Sequence, residues 1–485
     1  MTRFEIPAGW VVQGYRFALD PTPAQERSFR SHAGGARKAH NVMLGAVKAV
    51  MDQRTAERSY GIADPGLTPP MNWTLAGLRK DWNQRKDVVA PWWAENSKEA
   101  YNSGLDSLAR ALDAWNRSRR GEWAGKPVGF PRFKTARSRR SVRFTTGVIR
   151  VEADRHHVVL PRIGRIKTHE STRKLHRRID SGSARILSAT LAQDAAGRWH
   201  VGFQTLVARA VEVPAHVGAR APVVGVDVGV KADSLLVIAT PDGREIDRVR
   251  APKSLTSAQK RLRALQRRAA RQLGPYDRVT QSRRQGSNRW RSTQGRVGRT
   301  HAHAAAVRRD ALHKATTELA QRHQVIVVET LNVSGMRAGG GARKRGLNRS
   351  IADAALAEIR RMLTYKTRWY GSVLVEADRF FPSSKTCSGC GRGKPNLTLA
   401  DRTYVCEHCG VVIDRDLNAA INLARLGGTG TGSGPAASHR TGNGRGARQE
   451  SATTTVVNAA GEEASTRHNQ MVDRTGTAVP QGTAA

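Results

Sequence analysis

The chain has 485 residues, 39% of them hydrophobic, and its 81 Lys and Arg against 40 Asp and Glu give a net charge of +41. Self-repulsion of this size disfavours a compact state, and nucleic-acid phosphates would relieve it, so the composition indicates a polyanion partner. No stretch approaches the roughly 18 consecutive apolar residues of a membrane span, and residues 1–10 lack a secretory signal pattern. We therefore expect a soluble, intracellular protein with no membrane partner, and a basic ribosome-associated or membrane-surface protein is the alternative interpretation of the charge.

The first part of the chain is predicted to be a strand followed by a helical region. Residues 10–17 have a strand pattern, after which Thr22 can cap a helix that has Pro23 at its first position and Gln25 three residues after the cap. Further on, apolar residues recur at steps of four and three, which is typical of the core-facing stripe of one helix. These residues are Tyr101, Leu105, Leu108, Leu112 and Trp115. Residues 22–123 are therefore predicted to form a helical insertion.

A basic and aromatic segment follows the helical region. Six Arg and Lys lie within residues 132–143, and Phe130, Phe133 and Phe144 are interleaved with them. Aromatic and guanidinium planes together can stack on unpaired bases while the charges bind phosphate, although a solvated basic loop explains the pattern nearly as well. Short strands with turn signals then continue to residue 207, which predicts a β-rich module.

Residues 222–375 are predicted to form an α/β unit that contains two acidic strands. An apolar strand carries Asp227 in its middle, and residues 325–329 form a second buried strand that ends in Glu329. A helix that should stop at Gly371 and a strand after it continue an alternation of helices and strands, which is typical of α/β folds.

A strongly basic stretch lies between the two acidic strands. Residues 251–310 contain 16 Lys and Arg but two acids, and their apolar residues are spaced as in helices. We interpret this stretch as one long helical arm that lies along a nucleic-acid duplex, and an exposed charged hairpin is the alternative.

The end of the chain has a different composition from the rest. Residues 427–485 are rich in Gly, Ser, Thr and Ala, contain no Trp, Tyr or Phe, and carry five Arg against four acids. Such a segment cannot bury enough apolar surface to fold, so we predict a disordered tail. Its charge of +1 leaves +40 on residues 1–426, so the positive charge belongs to the folded body.

All four cysteines lie in two C-x-x-C pairs with 15 residues between the pairs. The ligand residues are Cys387, Cys390, Cys406 and Cys409. This spacing is that of a tetrahedral zinc ribbon and not of a disulfide or redox motif, and Gly389 and Gly410 are expected to permit the two tight turns. Four protein ligands leave no open position, so we predict one structural Zn²⁺ and regard His408 as a bystander.

Three acids remain as candidates for a catalytic metal site: Asp227, Glu329 and Asp416. Any one of them alone would more often be a cap or a satisfied polar residue, and Asp416 lies where a helix N-cap belongs. Taken together they suggest a site for Mg²⁺, because carboxylates brought close together repel one another and divalent cations remove that penalty. Two ions held in this way suit phosphodiester cleavage.

Four motifs together resemble those of the TnpB proteins, which bacterial insertion sequences encode. The motifs are Gly225-Val-Asp-Val-Gly-Val-Lys, Val327-Val-Glu-Thr-Leu, Phe381-Pro-Ser-Ser-Lys-Thr-Cys-Ser-Gly-Cys-Gly and Asp414-Arg-Asp-Leu-Asn-Ala-Ala-Ile-Asn-Leu. The likeness extends from about residue 12 to residue 426 and includes Phe17-Ala-Leu-Asp-Pro-Thr-Pro-Ala-Gln and Val128-Gly-Phe-Pro-Arg-Phe.

The resemblance implies a multidomain α/β and α+β protein built around an RNase-H-like (RuvC) nuclease core. The nuclease would span residues 216–382 and 411–426, with the zinc ribbon inserted at 383–410. Residues 1–21 and 124–215 would form a β-rich, wedge-like module, interrupted by a helical recognition lobe at 22–123.

The same resemblance implies an activity and partners. Asp227, Glu329 and Asp416 would hold two Mg²⁺ ions. The enzyme would lie in the bacterial cytoplasm and would associate with the nucleoid when it binds DNA. A monomer would carry one guide RNA from the transposon end and cut double-stranded DNA beside a short motif. An RNA-guided DNA-binding protein that does not cut, and a zinc-ribbon accessory protein of transposition that binds DNA nonspecifically, are the alternatives.

Overall fold

The computed structural model describes residues 5–136, 138–209, 221–274, 276–279, 282–283, 286–342, 344–398 and 401–428. Within these ranges none of the helices combines the length and the apolar character needed to cross a membrane. The strands are β1 (Trp10–Asp20), β2 (Ser141–Phe144), β3 (Arg150–Val151), β4 (His157–Leu160), β5 (Gly164–Thr168), β6 (Ala184–Gln193), β7 (Trp199–Ala208), β8 (Ala221–Val228), β9 (Leu236–Ala239), β10 (Glu245–Val249), β11 (Tyr276–Asp277), β12 (Ser282–Arg283), β13 (His323–Glu329), β14 (Val373–Ala377), β15 (Thr403–Val405) and β16 (Val412–Asp414).

The helices alternate with these strands in the second half of the chain and cluster near its start. They are α1 (Pro23–Ser59), α2 (Leu75–Val89), α3 (Lys98–Arg119), α4 (Arg173–Asp180), α5 (Ser254–Arg271), α6 (Asn288–Arg322), α7 (Val333–Arg337), α8 (Arg345–Ala354), α9 (Leu356–Tyr370) and α10 (Arg415–Gly428). Helix α10 ends at Gly428, so residues 427 and 428, which were predicted to belong to the tail, are helical. The rest of that prediction, residues 429–485, lies outside the described residues.

The predicted β-rich region is a seven-stranded sheet in the order β2-β6-β7-β1-β5-β4-β3, and all neighbouring strands are antiparallel. A turn at Asp194 joins β6 to β7, and one Asp194 carboxylate oxygen accepts hydrogen bonds from the backbone N–H groups of Ala196 and Arg198, each at 2.9 Å. Helix α4 was not predicted, because its eight residues contain few apolar side chains.

Helices α1, α2 and α3 pack together on their own core, as the sequence predicts. The capping box at Thr22 and Gln25 is present at the start of α1. On α3, the predicted stripe is buried from Tyr101 to Leu112, and Trp115 at its end is partly exposed. Helices α1 and α3 come close at Gly104, where an added Cβ would overlap the carbonyl oxygen of Ala36.

The basic and aromatic segment differs from the predicted stacking surface. Phe144 is fully buried in the core of the β-sheet, so its ring cannot stack on a base, and Phe130 is partly buried against the helical core. Phe133 remains 53% exposed. The segment is also fixed to α1, because Asn41 exchanges two hydrogen bonds with the backbone of Lys134, at 2.8 and 2.9 Å. The stacking interpretation is therefore wrong for Phe144.

The second large sheet has five strands in the order β10-β9-β8-β13-β14. Strands β8, β13 and β14 are parallel, whereas β9 is antiparallel to β8 and β10 is antiparallel to β9. Alternate residues of β8 face opposite sides: Val224 and Val226 pack with helices α6, α8 and α9, and Val223 packs with Leu423 of α10. Asp227 shares the parity of Val223, so it lies on the α10 side of the sheet.

The basic stretch between the acidic strands is a pair of packed helices and not one long arm. Helices α5 and α6 lie against each other, with Leu262 and Leu265 of α5 buried. The helix predicted to stop at Gly371 does stop there, with a left-handed φ of 66° at that glycine. It is however broken earlier, at Ala355, whose φ of 52° separates α8 from α9.

Candidate functional site

Two of the three candidate acids lie at the same edge of the five-stranded sheet. Asp227 is the last residue but one of β8 and does not lie in the middle of the strand as predicted, whereas Glu329 is the last residue of β13, as predicted. The parallel register pairs Val226 with Val328, so Asp227 and Glu329 each follow one residue later on neighbouring strands. Asp416 lies in the first turn of α10, which packs across the same face. The fold therefore brings to one place three residues that are far apart in the sequence.

The charges of the three carboxylates act on one another. Desolvation raises the pKa of Asp227 well above its usual value, and the neighbouring charges of Glu329 and Asp416 raise it further. Lys231 and Arg415 oppose these effects. All three acids are only partly buried, so solvent and ligands can still reach them. An acidic centre of this kind favours a bound cation.

Hydrogen bonds fix two of the carboxylates in position. Asp416 forms an ion pair with Lys231 and accepts a hydrogen bond of 2.9 Å from the Ser234 hydroxyl. Glu329 accepts a hydrogen bond from the hydroxyl of Ser383, which is itself buried. None of these three supporting residues was predicted. Two of them stand inside quoted motifs, since Lys231 ends the motif around Asp227 and Ser383 precedes the first cysteine pair.

The cap of α10 is Asp414 and not Asp416. One oxygen of Asp414 accepts hydrogen bonds from the backbone N–H groups of Asp416 and Leu417, both at 3.0 Å. Arg248 also lies 3.4 Å from Asp414. The interpretation of Asp416 as an N-cap is therefore wrong, because the cap position lies two residues earlier. Asp416 is left free to point into the acidic centre.

Gly225 sets the distance between β8 and α10. A Cβ at this position would overlap the backbone of Ala420 and Ala424, and backbone atoms cannot rotate away. The close approach holds Asp416 opposite Asp227, two residues along the strand from Gly225. The glycine is thus needed for the contact and not for an unusual backbone angle.

Replacing Gly225 by alanine is therefore expected to lower the free energy of unfolding by about 1–3 kcal/mol, because the added methyl group overpacks the interface. Urea unfolding measures this change. Gly14→Ala is the matched control, since β1 has open space at that position and the substitution should change stability far less. Equal stability of the two variants would contradict the close approach.

The four cysteines form a second site. Their sulfur atoms all lie within 4.8 Å of one another, and the Cys387–Cys409 and Cys390–Cys406 pairs are each 3.6 Å apart. Zinc–sulfur bonds of about 2.3 Å in a tetrahedron place sulfurs roughly 3.8 Å apart, so the observed spacing suits one ion.

The turns of the two cysteine pairs use glycine in two different ways. Gly391 and Gly410, which follow Cys390 and Cys409, both adopt a left-handed φ of 75°. Gly389 does not, and it is instead confined by space, because a Cβ there would lie 3.0 Å from a methyl group of Val411. The prediction for Gly410 is confirmed, and Gly391 takes the conformational role expected of Gly389.

The thiols influence one another strongly. Backbone N–H groups of Cys409 and His408 lower the pKa of the Cys406 thiol to about 6. At Cys409 the backbone N–H of Val411 lowers the pKa, but burial and the neighbouring sulfurs raise it to about 12. Four thiolates so close together therefore need a cation to be stable.

Helix α10 joins the cysteine site to the acidic centre. Asn418 accepts a hydrogen bond of 2.8 Å from the backbone N–H of Ser388, and it donates one of 2.7 Å to the carbonyl of Thr386. Asn422, one turn later, donates to the carbonyls of Thr386 and Ser383 at 2.7 and 2.8 Å. The helix that carries Asp416 thus binds the cysteine segment through two buried amides.

Three family models match the chain. "Probable transposase" matches residues 207–338, "Cas12f1-like, TNB domain" matches residues 357–423, and "Helix-turn-helix domain" matches residues 11–54. Within the last range the structure has strand β1 and a single continuous α1, so no turn separates two helices there.

Several curated proteins are similar to the chain. "Putative RNA-guided DNA endonuclease Rv2885c" of Mycobacterium tuberculosis is 40% identical over 434 residues, which cover 88% of each chain. "Putative RNA-guided DNA endonuclease InsQ" of Escherichia coli is 27% identical over 426 residues, or 86% of this chain and 92% of InsQ. "TnpB-like protein L79" of Acanthamoeba polyphaga mimivirus is 32% identical over 120 residues, or 24% of this chain and 22% of L79. Because the Mycobacterium tuberculosis relative is 40% identical over 88% of both chains, the chain belongs to the TnpB family of insertion-sequence proteins.

Proposed function

We propose that the protein is an RNA-guided endonuclease that cuts double-stranded DNA by metal-dependent hydrolysis of a phosphodiester bond, in a RuvC-like site within an RNase-H-like core. The observation that carries the proposal is the meeting of three acids at one edge of the sheet. Asp227 and Glu329 lie on neighbouring parallel strands and Asp416 lies on the helix that covers them, and burial and the other two charges raise the pKa of Asp227. Structural side chains are seldom placed at such an electrostatic cost, and perturbed carboxylates are typical of functional sites. The names of the similar proteins support the same activity.

Mg²⁺ fits the donor groups of this centre. The three side chains offer carboxylate oxygens, the ligands that hard cations prefer, and a divalent charge would remove their repulsion. Among the described residues, the four cysteines are the group whose donor atoms all lie within 4.8 Å of one another, so the carboxylate oxygens of Asp227, Glu329 and Asp416 do not all lie within that distance. Two ions about 3.5–4 Å apart do not require every ligand to touch both, and the wider spacing suits such a pair.

Bound Mg²⁺ would activate the attacking water and stabilise the leaving oxygen of the DNA backbone. The residues of the chain keep the ligand oxygens oriented. Ser383 holds one oxygen of Glu329, and Ser234 and Lys231 hold one oxygen of Asp416, which leaves the other oxygen of each carboxylate available. Asp227 is fixed by its place within the hydrogen-bonded strand β8. Such preorganisation reduces the rearrangement required during the reaction.

The partners in this proposal are a guide RNA from the transposon end and the target duplex, bound by a monomer. Base pairing would select the sequence, while the protein recognises the shape and backbone of the heteroduplex and a short adjacent motif. The charge of +40 on residues 1–426 suits this division of tasks. The helix pair α5 and α6 lies in residues 251–322, which contain 18 Lys and Arg, and it is a surface on which the nucleic-acid backbone can lie.

The domain assignments belong to the same proposal. Residues 1–21 and 124–215 form the wedge-like module, 22–123 the recognition lobe, and 216–382 with 411–426 the nuclease. Residues 383–410 form the ribbon, with one Zn²⁺ held by the four cysteines described above.

The test is whether a new guide redirects cutting. The protein is purified with its native RNA, the RNA is sequenced, and the guide portion is then replaced by one that matches an unrelated duplex. We expect Mg²⁺-dependent cutting of the new duplex alone, because the guide and not the protein reads the sequence. If the new guide does not change which duplex is cut, RNA guidance is rejected. If the complex binds the matched duplex but does not cut it in either Mg²⁺ or Mn²⁺, the nuclease activity is rejected.

A further inference from the structure

An exposed aromatic residue lies beside the acidic centre without a structural role. Phe380 is 83% exposed, which makes it the most exposed phenylalanine of the part of the chain that the structure describes. The next residue, Phe381, packs with Val223, Val327 and Leu423 under helix α10. Burial of Phe381 therefore anchors the segment, while Phe380 points into solvent.

The backbone around Phe380 is ordered by a tight turn. One carboxylate oxygen of Asp378 accepts a hydrogen bond of 2.8 Å from the N–H of Phe380. The carbonyl oxygen of Asp378 accepts another, of 3.0 Å, from the N–H of Phe381. The exposed ring is therefore presented by a fixed loop, and it does not belong to a frayed end.

The turn is tied to Glu329 on both sides. Ala377, three residues before Phe380, pairs with Glu329 in the parallel register of β13 and β14. Ser383, three residues after Phe380, donates its hydroxyl hydrogen bond to the carboxylate of Glu329. Three residues span at most about 11 Å of chain, so the ring stays within a few nucleotide lengths of the centre.

Arg379 gives the ring a cationic neighbour. Its guanidinium lies 5.5 Å from the centre of the Phe380 ring. Among the residues that the structure describes, no carboxylate forms an ion pair with Arg379. An aromatic face beside a free guanidinium is the combination that proteins use to hold single-stranded nucleic acid, with the ring on a base and the charge on a phosphate.

We propose that Phe380 and Arg379 form a stacking site for one unpaired base of the DNA strand that enters the nuclease centre. The inference rests on the proposed function, since the strand is the substrate of that reaction. The ring stacks on a base close to the bond to be cut, and Arg379 binds the phosphate beside it. Stacking does not depend on base identity, so the site positions the strand without selecting its sequence.

A fluorescent base tests the stacking contact independently of cutting. The probe is 2-aminopurine, whose emission falls when it stacks, placed at successive positions of the target strands in a complex of Asp227→Asn protein with its guide RNA. We expect quenching near one position that is lost when Phe380 is also replaced by alanine. Loss of one base–aromatic stack should change the equilibrium between the stacked and the unstacked base about 5- to 160-fold. If the emission at every probe position is the same for the protein with Phe380 and for the Phe380→Ala variant, the proposal is overturned.

Cleavage by the otherwise unaltered protein gives the second measurement. Phe380→Trp should cut at nearly the original single-turnover rate, whereas Phe380→Leu, which is apolar but not aromatic, should be slowed as much as Phe380→Ala. The control is Val373→Ala at the other end of β14, a 56% exposed apolar residue that should not affect cutting. Phe380→Leu with the original rate would reject stacking. If the unaltered protein does not cut at all, the proposed function fails, while the fluorescence result still decides the stacking site.

Discussion

Replacing Asp227 by asparagine is expected to reduce cutting of guide-matched DNA by about a thousandfold or more. The amide keeps the shape of the side chain but removes a charged ligand oxygen, and metal ligation supplies several kcal/mol of transition-state stabilisation. Affinity for the matched duplex should remain, because guide pairing and the basic surface provide it. Single-turnover cleavage and a binding assay in the same buffer measure the two effects.

The same substitution is expected to stabilise the fold when divalent ions are absent. Asp227 carries a desolvated charge next to Glu329 and Asp416, and removing it removes that repulsion. The free energy of unfolding in EDTA should rise by about 1–3 kcal/mol, in line with other destabilised active sites. Glu376→Gln is the matched control, since this exposed acid of β14, a strand of the same sheet, pairs with Arg360 and takes no part in the centre. Undiminished cutting by Asp227→Asn would show that the metal ligands have been assigned wrongly.

Replacing Cys406 by serine is expected to release the zinc and to lower both stability and cutting. A hydroxyl is a poor substitute for a thiolate ligand, and the free energy of binding a structural zinc ion is part of the free energy of folding. The loss should reach the nuclease centre, because Asn418 and Asn422 bind the cysteine segment from the helix that carries Asp416. Metal analysis should give one zinc per original chain and much less in the variant.

The neighbouring histidine provides the control for this experiment. His408 lies in the same turn and is exposed, and no ligand position remains for it once four sulfurs bind the ion. We therefore expect His408→Ala to keep its zinc, its melting temperature and its cutting rate. If metal analysis finds no zinc in the unaltered protein, the metal assignment is contradicted. Cutting by Cys406→Ser at the original rate would contradict the coupling between the two sites.

The candidate site residues were easier to predict than the residues that support them. Asp227 and Glu329 stand at the ends of apolar strands where an acid is costly, and the cysteine spacing alone indicates a metal site. Ser234 and Ser383 carry no such signal, because a serine is common in loops. Their value comes from long-range contacts that the sequence does not display. Local patterns therefore indicated the acids, and only the fold showed which hydroxyl groups hold them.

The errors in the prediction have a similar physical origin. Phe144 was expected to stack on bases because basic residues surround it, but the alternation of a strand turns its ring into the core. The break at Ala355 requires a left-handed backbone at a residue that seldom adopts one, so no local signal announces it. In contrast, the helix end at Gly371 uses the residue that favours this conformation, and it was predicted correctly.

Helix α10 also determines when the nuclease centre is completed during synthesis. The ribosome makes the chain from its first residue onward, and most of the basic body precedes α10, including all of the helix pair α5 and α6. Asp416 and the face of α10 that covers β8 are therefore the last parts of the site to emerge. A chain that stops before α10 lacks Asp416 and leaves uncovered the face of the sheet on which Val223 and Val327 pack with Leu423. Under the proposed function, incomplete translation products would therefore lack the full set of carboxylates that cutting requires.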